Sequence, residues 1–376
     1  MDFSLSEEQV LLRDSVDRFV SERCTVDRLR KLRADPLGFD PAAWRTFAEL
    51  GWLSLPFPEP LGGFGGRATD LMTICEAMGR GCVREPYLTN VIVCGGLLRA
   101  FATEQQQAEY IPTIIDGSTQ WAFAFAETGS DFELGNATLV AVAEDNQWSL
   151  TGEKIAVLNG HCADYLLVTG YDGTDLALYL VDANTDGIYR EPFVAVDDSR
   201  GASIRFDRAA GIKLSAERRP VAALYGAIDL AHVAIGGEAV GAMQALLDLT
   251  VEYTKTREQF GQAIGKFQVL QHRMADMYMK VEETRSLLFN AAIRLEQGSL
   301  AADLACAALR VKVAEAGRRV AQEAVQLHGG IGMTDELAVS HYYKRLLLLG
   351  KLFGDERFHL QRYATLSAGM RAEPAA

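Results

Sequence analysis

Positive charge is in short supply in this chain. Lys plus Arg number 37 against 50 Asp plus Glu, a formal charge of −13 over 376 residues. Nucleic-acid binding needs clustered cations to meet phosphates, so this balance excludes that class of partner. Any anionic ligand must instead meet a few local Arg or Lys side chains or backbone N–H groups. Cysteine is sparse as well. Cys24, Cys75, Cys82, Cys94, Cys162 and Cys306 form no CxxC pair and match no zinc ligand set. They read as reduced, buried thiols, and no metal site is expected. No uninterrupted apolar run approaches the ~18 residues of a membrane span. Met1-Asp2-Phe3-Ser4 does not open a basic-then-apolar leader. The expectation is a cytoplasmic protein without a membrane partner.

Several catalytic signatures are also missing. The chain has no GxGxxG: Gly329-Gly330-Ile331-Gly332 lacks the third glycine and follows no strand. It has no phosphate-loop GxxxxGK[ST], no HExxH and no GxSxG. The six histidines make no helical metal pair. A nicotinamide enzyme, the usual hydrolases and a zinc enzyme are therefore disfavoured.

What is present is an ordinary globular composition, 49% hydrophobic and 23% charged, with length for two or three domains. Residues 1–118 read as a helical domain. Ser6-Glu7-Glu8-Gln9 resembles a capping box, and a second helix is predicted over about Pro41–Gly51. Pro56-Phe57-Pro58-Glu59-Pro60-Leu61-Gly62-Gly63-Phe64-Gly65-Gly66 is too rich in Pro and Gly for helix and reads as a shaped loop. Residues 119–222 change period. Leu139, Ala141 and Ala143 alternate before a turn at Asp145-Asn146, and Leu176, Leu178 and Leu180 alternate after a turn at Asp172-Gly173. This predicts an antiparallel β domain of barrel or sandwich type. Residues 223–376 return to helical period. One seam runs Phe267, Leu270, Met274, Met277, Val281, Leu288, Ala291, Leu295, and a second starts Leu304, Ala308, Val311. A C-terminal four-helix bundle is predicted, and the whole is an α+β multidomain chain.

Two stretches carry chemistry. Tyr253-Thr254-Lys255-Thr256-Arg257-Glu258-Gln259-Phe260-Gly261 ends one helix near Gln259 and leads through a turn to Phe267-Gln268. Arg257 there suits a phosphate, or it is a cation favoured by the helix C-terminus. Gln326-Leu327-His328-Gly329-Gly330-Ile331-Gly332 ends another helix in a turn whose backbone can approach a ligand, or is a simple C-cap.

Taken together, YxxxREQFGxxIxxFQ followed by QxHGGxG resembles the acyl-CoA dehydrogenase family, and the likeness extends over essentially the whole chain. Leu352-Phe353-Gly354-Asp355, His359-Leu360 and Ala124-Phe125-Ala126-Glu127 look most like the small-subunit branch of pimeloyl-CoA dehydrogenase. The resemblance implies FAD, held by Arg257, Phe260, Gln268, Gln326, Gly329 and Gly330, with Ser130 and the Leu158 backbone near the flavin. It implies an acyl-CoA substrate whose α-proton is removed and whose β-hydride passes to flavin N5. It also implies an electron-transfer flavoprotein as acceptor, and a dimer or tetramer with itself or with a second acyl-CoA dehydrogenase subunit.

The departures from the family pattern are specific. Ala126 stands where the family has a flavin-contacting Thr, and Ala156-Val157-Leu158 replaces W-x-T. The usual base Glu is Phe353. The second branch's base position is Ala231, with His232 beside it. Asp355 and His232 are the nearest candidate bases, although Asp355 also fits a helix N-cap. Three readings of the function follow. The chain is a dehydrogenase subunit whose partner supplies the base, a dehydrogenase active with an unusual base such as Asp355 or His232, or a non-catalytic FAD- or acyl-CoA-binding scaffold.

Overall fold

The computed structural model describes residues 5–144, 147–214, 220–299 and 301–372, so the Asp145-Asn146 turn lies outside the described residues. In chain order the elements begin with helices α1 Glu7–Arg23, α2 Val26–Ala34, α3 Pro41–Glu49, α4 Ala68–Arg80, α5 Gly95–Phe101 and α6 Glu104–Ile115. Strands β1 Trp121–Ala124, β2 Val140–Glu144, β3 Gln147–Leu158, β4 Tyr165–Tyr171, β5 Leu176–Asp182, β6 Ile188–Val194 and β7 Arg200–Lys213 follow. Helix α7, Pro220–Thr256, leads to a hairpin of β8 Glu258–Gln259 and β9 Gln262–Ala263. Helices α8 Gln268–Glu296, α9 Ala302–His328, α10 Ala338–Leu349 and α11 Glu356–Ala372 complete the chain. The C-terminal region thus has five helices among the described residues, one more than a four-helix bundle.

Compact packing divides the chain into two units. A helical unit comprises Met1–Lys31, Ala68–Val83 and His232–Ala376; a sheet unit comprises Leu32–Arg67 and Arg84–Ala231.

In the helical unit the N-terminal capping box forms as the sequence predicts. Ser6 Oγ accepts from the Gln9 N–H at 3.2 Å, and Gln9 Oε1 accepts from the Ser6 N–H at 3.0 Å. Helix α4 packs close because α7 offers glycines: a Cβ on Gly241 would lie 1.9 Å from the Glu76 carbonyl oxygen. On α8 the predicted seam is buried from Met277 to Ala291, whereas Leu270, Met274 and Leu295 are half-buried. On α9 the predicted seam is offset. Leu304, Ala308 and Val311 are half-buried, and the buried stripe runs through Ala305, Leu309, Val313, Ala316 and Val320. α9 packs against α8, α10 and α11, so most of its circumference is interior and a single three–four stripe does not describe it. By average hydropathy α7 matches a membrane span, despite Asp229, His232 and Glu238. Yet 78% of its most apolar 18-residue window is buried inside the protein, which is the behaviour of a core helix.

In the sheet unit the strand order is β1-β4-β2-β3-β7-β5, with β6 on β7 and β4 also pairing β5. Most pairings are antiparallel as predicted, but β1 runs parallel to β4, with Trp121 opposite Tyr165. The turn at Asp172 forms as expected: its Oδ1 accepts the Thr174 and Asp175 N–H groups at 2.9 and 2.8 Å. In β5 the predicted alternation dissolves, because every residue from Leu176 to Val181 is buried. Leu150, Leu166, Val168, Tyr179, Val181, Ile204 and Phe206 fill the core of the sheet.

Candidate cofactor and catalytic sites

At one end of the helical unit, α7 stops at Thr256 and the chain turns into the short hairpin. The Arg257 N–H still donates to the Tyr253 carbonyl at 2.9 Å, and the Arg257 carbonyl accepts from the Ile264 N–H at 2.8 Å. These bonds close the hairpin base. Its two turn residues, Phe260 and Gly261, have φ of +53° and +78°, the two-residue connection that matches the twist of paired strands. The helix therefore ends three residues before the predicted Gln259. Phe260 is 92% exposed at the tip.

Helix α9 ends at His328, and Gly329 at φ +65° donates its N–H to the Gln326 carbonyl. A Cβ on Gly329 or Gly330 would meet nothing within 4 Å. The Tyr253 and His328 rings stack with centroids 4.4 Å apart, which sets the end of α7 beside the end of α9. The structure thus gathers Arg257, Phe260, Gln268, Gln326, Gly329 and Gly330 at one end of the unit. Among the described residues the Arg257, Gln268 and Gln326 side chains have no hydrogen-bond or ion-pair partner, and all three are exposed. An unengaged guanidinium, two free amides, an exposed aromatic ring and open glycine backbone fit the pyrophosphate-linked half of a dinucleotide.

The region of the expected base lies between α10 and α11 in the same unit. Phe353 is hydrocarbon, half-buried, and held at φ +54°. Gly354 follows at φ +124°, where a Cβ would meet Phe358 Cδ1 at 2.4 Å and His359 Nε2 at 2.6 Å. Asp355 is an N-cap: Oδ1 accepts the Phe358 N–H at 3.0 Å and Oδ2 accepts Lys351 Nζ at 3.2 Å. The Phe358 N–H is the leading cause that holds this carboxyl below its ordinary range, so it is a weak base. Ala231, at the second base position, is fully buried and offers only a methyl group.

His232 is buried and packs its ring at right angles to His359, centroids 5.1 Å apart. Burial, then His359 and Arg310, holds His232 well below the usual imidazole range. His359 is pushed down to about 3, by burial first and then by Arg310 and Arg362. Both rings are therefore neutral near pH 7. Arg310, fully buried on α9, donates Nη2 to the carbonyls of Leu349 at 2.8 Å and Leu352 at 2.7 Å. It thereby closes the C-terminus of α10 where the helix dipole favours a cation. Sequence reasoning missed Arg310 altogether, because an arginine on a long helix ordinarily faces water.

In the sheet unit, Ser130 is buried and its hydroxyl is occupied. Oγ accepts the Glu127 N–H at 3.1 Å and donates to the Glu127 carbonyl at 3.0 Å. The side chain expected to meet the cofactor thus also locks its own turn. Leu158 stands opposite Gly201 at the end of β3, and its neighbour Asn159 donates to the Arg200 carbonyl at 3.1 Å. Antiparallel pairs alternate, so the Leu158 N–H faces away from β7. Ala156, in place of the family's aromatic residue, sits at φ +54° in a bulge between Lys154 and Val157.

The sequence reading also missed the ion pair beneath this loop. Lys154 Nζ lies 2.6 Å from Glu127 Oε1, and both side chains are buried. Glu127 also accepts the Thr138 N–H at 2.6 Å, the Thr138 hydroxyl and the Leu139 N–H at 3.1 Å. Burial pulls the Lys154 ammonium down to about 8 against the attraction of Glu127.

Known proteins match this architecture along the chain. The Acyl-CoA dehydrogenase, N-terminal domain family matches residues 6–118, and the Acyl-CoA dehydrogenase, C-terminal domain family matches residues 222–365. Acyl-CoA dehydrogenase FadE27 of Mycobacterium tuberculosis is 31% identical over 91% of this chain and 92% of its own length. The solved ChsE4-ChsE5 complex from Mycobacterium tuberculosis contains a chain with TM-score 0.89 and 27% identity, covering all of both chains. PigA with FAD and proline shares the fold at TM-score 0.91 and 23% identity, over 99% of this chain and 100% of that one. Helical domain, β domain and C-terminal helices thus define an acyl-CoA dehydrogenase fold. The chain belongs to the acyl-CoA dehydrogenase family of oxidoreductases.

Proposed function

We propose that this chain binds FAD and acts as one subunit of a heteromeric acyl-CoA dehydrogenase, with the proton-abstracting carboxylate supplied by a second subunit. The observation that carries the reading is the pair Phe353 and Ala231. Both positions where the family places a base are apolar, and the neighbouring Asp355 carboxylate is already committed to the Phe358 N–H and Lys351. A positioned general base contributes typically ~10²–10⁴-fold, so its absence leaves the isolated chain slow.

FAD retention is supported by the unengaged Arg257, Gln268 and Gln326 side chains and the open backbone at Gly329 and Gly330. A pure scaffold has no use for these groups. When bound, FAD supplies the hydride acceptor. The chain's own contribution is to hold the pyrophosphate with Arg257, while the buried, neutral His232–His359 pair takes up no proton near pH 7. A two-chain assembly accords with the solved ChsE4-ChsE5 complex, which pairs two differently named chains. An electron-transfer flavoprotein is the proposed electron acceptor. The sequence likeness to the pimeloyl-CoA small-subunit branch makes a dicarboxylyl-CoA the first substrate to try.

The visible spectrum of the purified chain, alone and co-expressed with an adjacent dehydrogenase subunit, tests the cofactor assignment. Flavin bands in either preparation support it. Their absence from both leaves the scaffold reading in possession.

A further inference from the structure

Tyr253 and His328 belong to the two motifs that mark the cofactor end of the helical unit, yet neither is among the residues expected to contact the cofactor. Each lies next to one that does. Tyr253 is one helical turn before Arg257, and its carbonyl accepts the Arg257 N–H at 2.9 Å. His328 immediately precedes Gly329 and Gly330 and is itself buried.

The parts on either side of this pair are closely packed against their own helices. The hairpin is tied back to α7, since a Cβ on Gly265 would lie 3.0 Å from the Thr254 carbonyl oxygen. The turn after α9 is tied back to α9, since a Cβ on Gly332 would lie 2.9 Å from His328 Cβ and 3.0 Å from the Val325 carbonyl oxygen. One arm therefore carries Arg257 and Phe260, and the other carries Gln326, Gly329 and Gly330. The rings that join the arms are Tyr253 and His328, stacked at 4.4 Å with an interplanar angle of 27°. The His328 ring is oriented by Nδ1, 2.8 Å from the Ala324 carbonyl.

We infer that the Tyr253–His328 stack is a positioning device that sets the distance between the guanidinium arm and the glycine arm of the FAD pyrophosphate cradle. The inference rests on the FAD reading above and adds to it the coupling between its two halves. Neither ring touches the cofactor in this account. Each acts through the backbone next to it, Tyr253 through Arg257 and His328 through Gly329. A ligand bridging two arms is sensitive to sub-ångström changes in their separation, whereas the fold of either arm is not.

The test is a double-mutant cycle on the full chain in whichever assembly retains flavin. FAD affinity is read by flavin fluorescence on titrating the apoprotein, and apoprotein stability by thermal unfolding. Tyr253→Ala and His328→Ala are each expected to weaken FAD binding by about fivefold or more, and the double variant to be little worse than either single. An aromatic pair has a coupling of this order. His328→Phe, which keeps a stacking ring, is expected to stay within about twofold of wild type. It also guards against an alanine variant that fails to fold. Lower apoprotein melting temperature with unchanged FAD affinity makes the stack mere core packing and overturns the inference, as does additivity of the two alanine changes. Wild-type protein without flavin in any assembly overturns the cofactor reading and this inference with it. Wild type with flavin and indifferent variants overturns this inference alone.

Discussion

Lys154→Met isolates the ion pair that anchors the loop carrying Ser130. Methionine keeps the length and apolar bulk of the lysine stem and removes its three donors. Those donors meet the Phe125 carbonyl at 3.2 Å, Glu127 Oε1 at 2.6 Å and Thr169 Oγ1 at 2.9 Å. The change strands Glu127, a carboxylate only 6% exposed. Stranding one partner of a buried pair typically costs ~3–5 kcal/mol. Glu127 keeps the Thr138 N–H, the Thr138 hydroxyl and the Leu139 N–H as donors. The expected loss is therefore at the low end of that range, ~3 kcal/mol. Urea unfolding followed by tryptophan fluorescence reads it directly, because Trp121 is fully buried in the same unit. Adding Glu127→Gln removes the second charge, so the double variant is expected to lose less than the sum of the singles. A single-variant loss below ~1 kcal/mol, or strict additivity, refutes the claim that this pair anchors the loop carrying Ser130.

Arg257→Ala removes a charge-assisted contact of about 1.5–3 kcal/mol, so flavin affinity is expected to fall between about tenfold and a hundredfold with little change in far-ultraviolet circular dichroism. FAD content unchanged after dialysis leaves Arg257 as a helix-end cation. Asp355→Ala is expected to cost about 1 kcal/mol in urea unfolding through loss of the α11 cap, with no change in flavin reduction by substrate. A selective loss of reduction identifies Asp355 as the base after all. The pH dependence follows from His359. Its unfolded imidazole takes up a proton near 6.5, whereas burial, Arg310 and Arg362 delay uptake in the folded protein to about 3. The unfolded state binds more protons in that window, so stability falls as pH drops from about 6.5 toward 3. His359→Gln is expected to flatten that slope, measured as urea midpoints at several pH values. An unchanged slope refutes the assignment.

Local rules were the legible part of the sequence. The Ser6 capping box and the Asp172 turn depend on residues within three positions of one another, and both formed as predicted. The Pro- and Gly-rich loop was equally readable. A Cβ on Gly63 would lie 1.9 Å from the Phe57 carbonyl oxygen, and Gly62 sits at φ +86°, so glycine is required where the loop folds back on itself. Features created by tertiary packing were not legible. β1 lies parallel to β4 because the chain between them passes through β2 and β3, which no alternation of side chains records. The α9 stripe was misplaced because three helices bury it. Charges in strands and helices usually face water, so nothing in the pattern marked Lys154, Glu127 or Arg310 as interior. The cofactor end was visible through its two motifs, but the hairpin at Phe260-Gly261 was hidden: phenylalanine rarely takes positive φ.

As proposed, this chain holds flavin but lacks its own base. Anaerobic flavin bleaching by straight-chain and dicarboxylyl-CoA thioesters tests this most directly, on the isolated chain, on its Phe353→Glu variant and on the chain co-expressed with a second dehydrogenase subunit. The isolated chain is expected to bleach slowly. Bleaching is expected to accelerate by on the order of 10²-fold or more when Phe353→Glu supplies a carboxylate or when the partner supplies its own. Rapid bleaching by the unmodified, isolated chain contradicts the proposal.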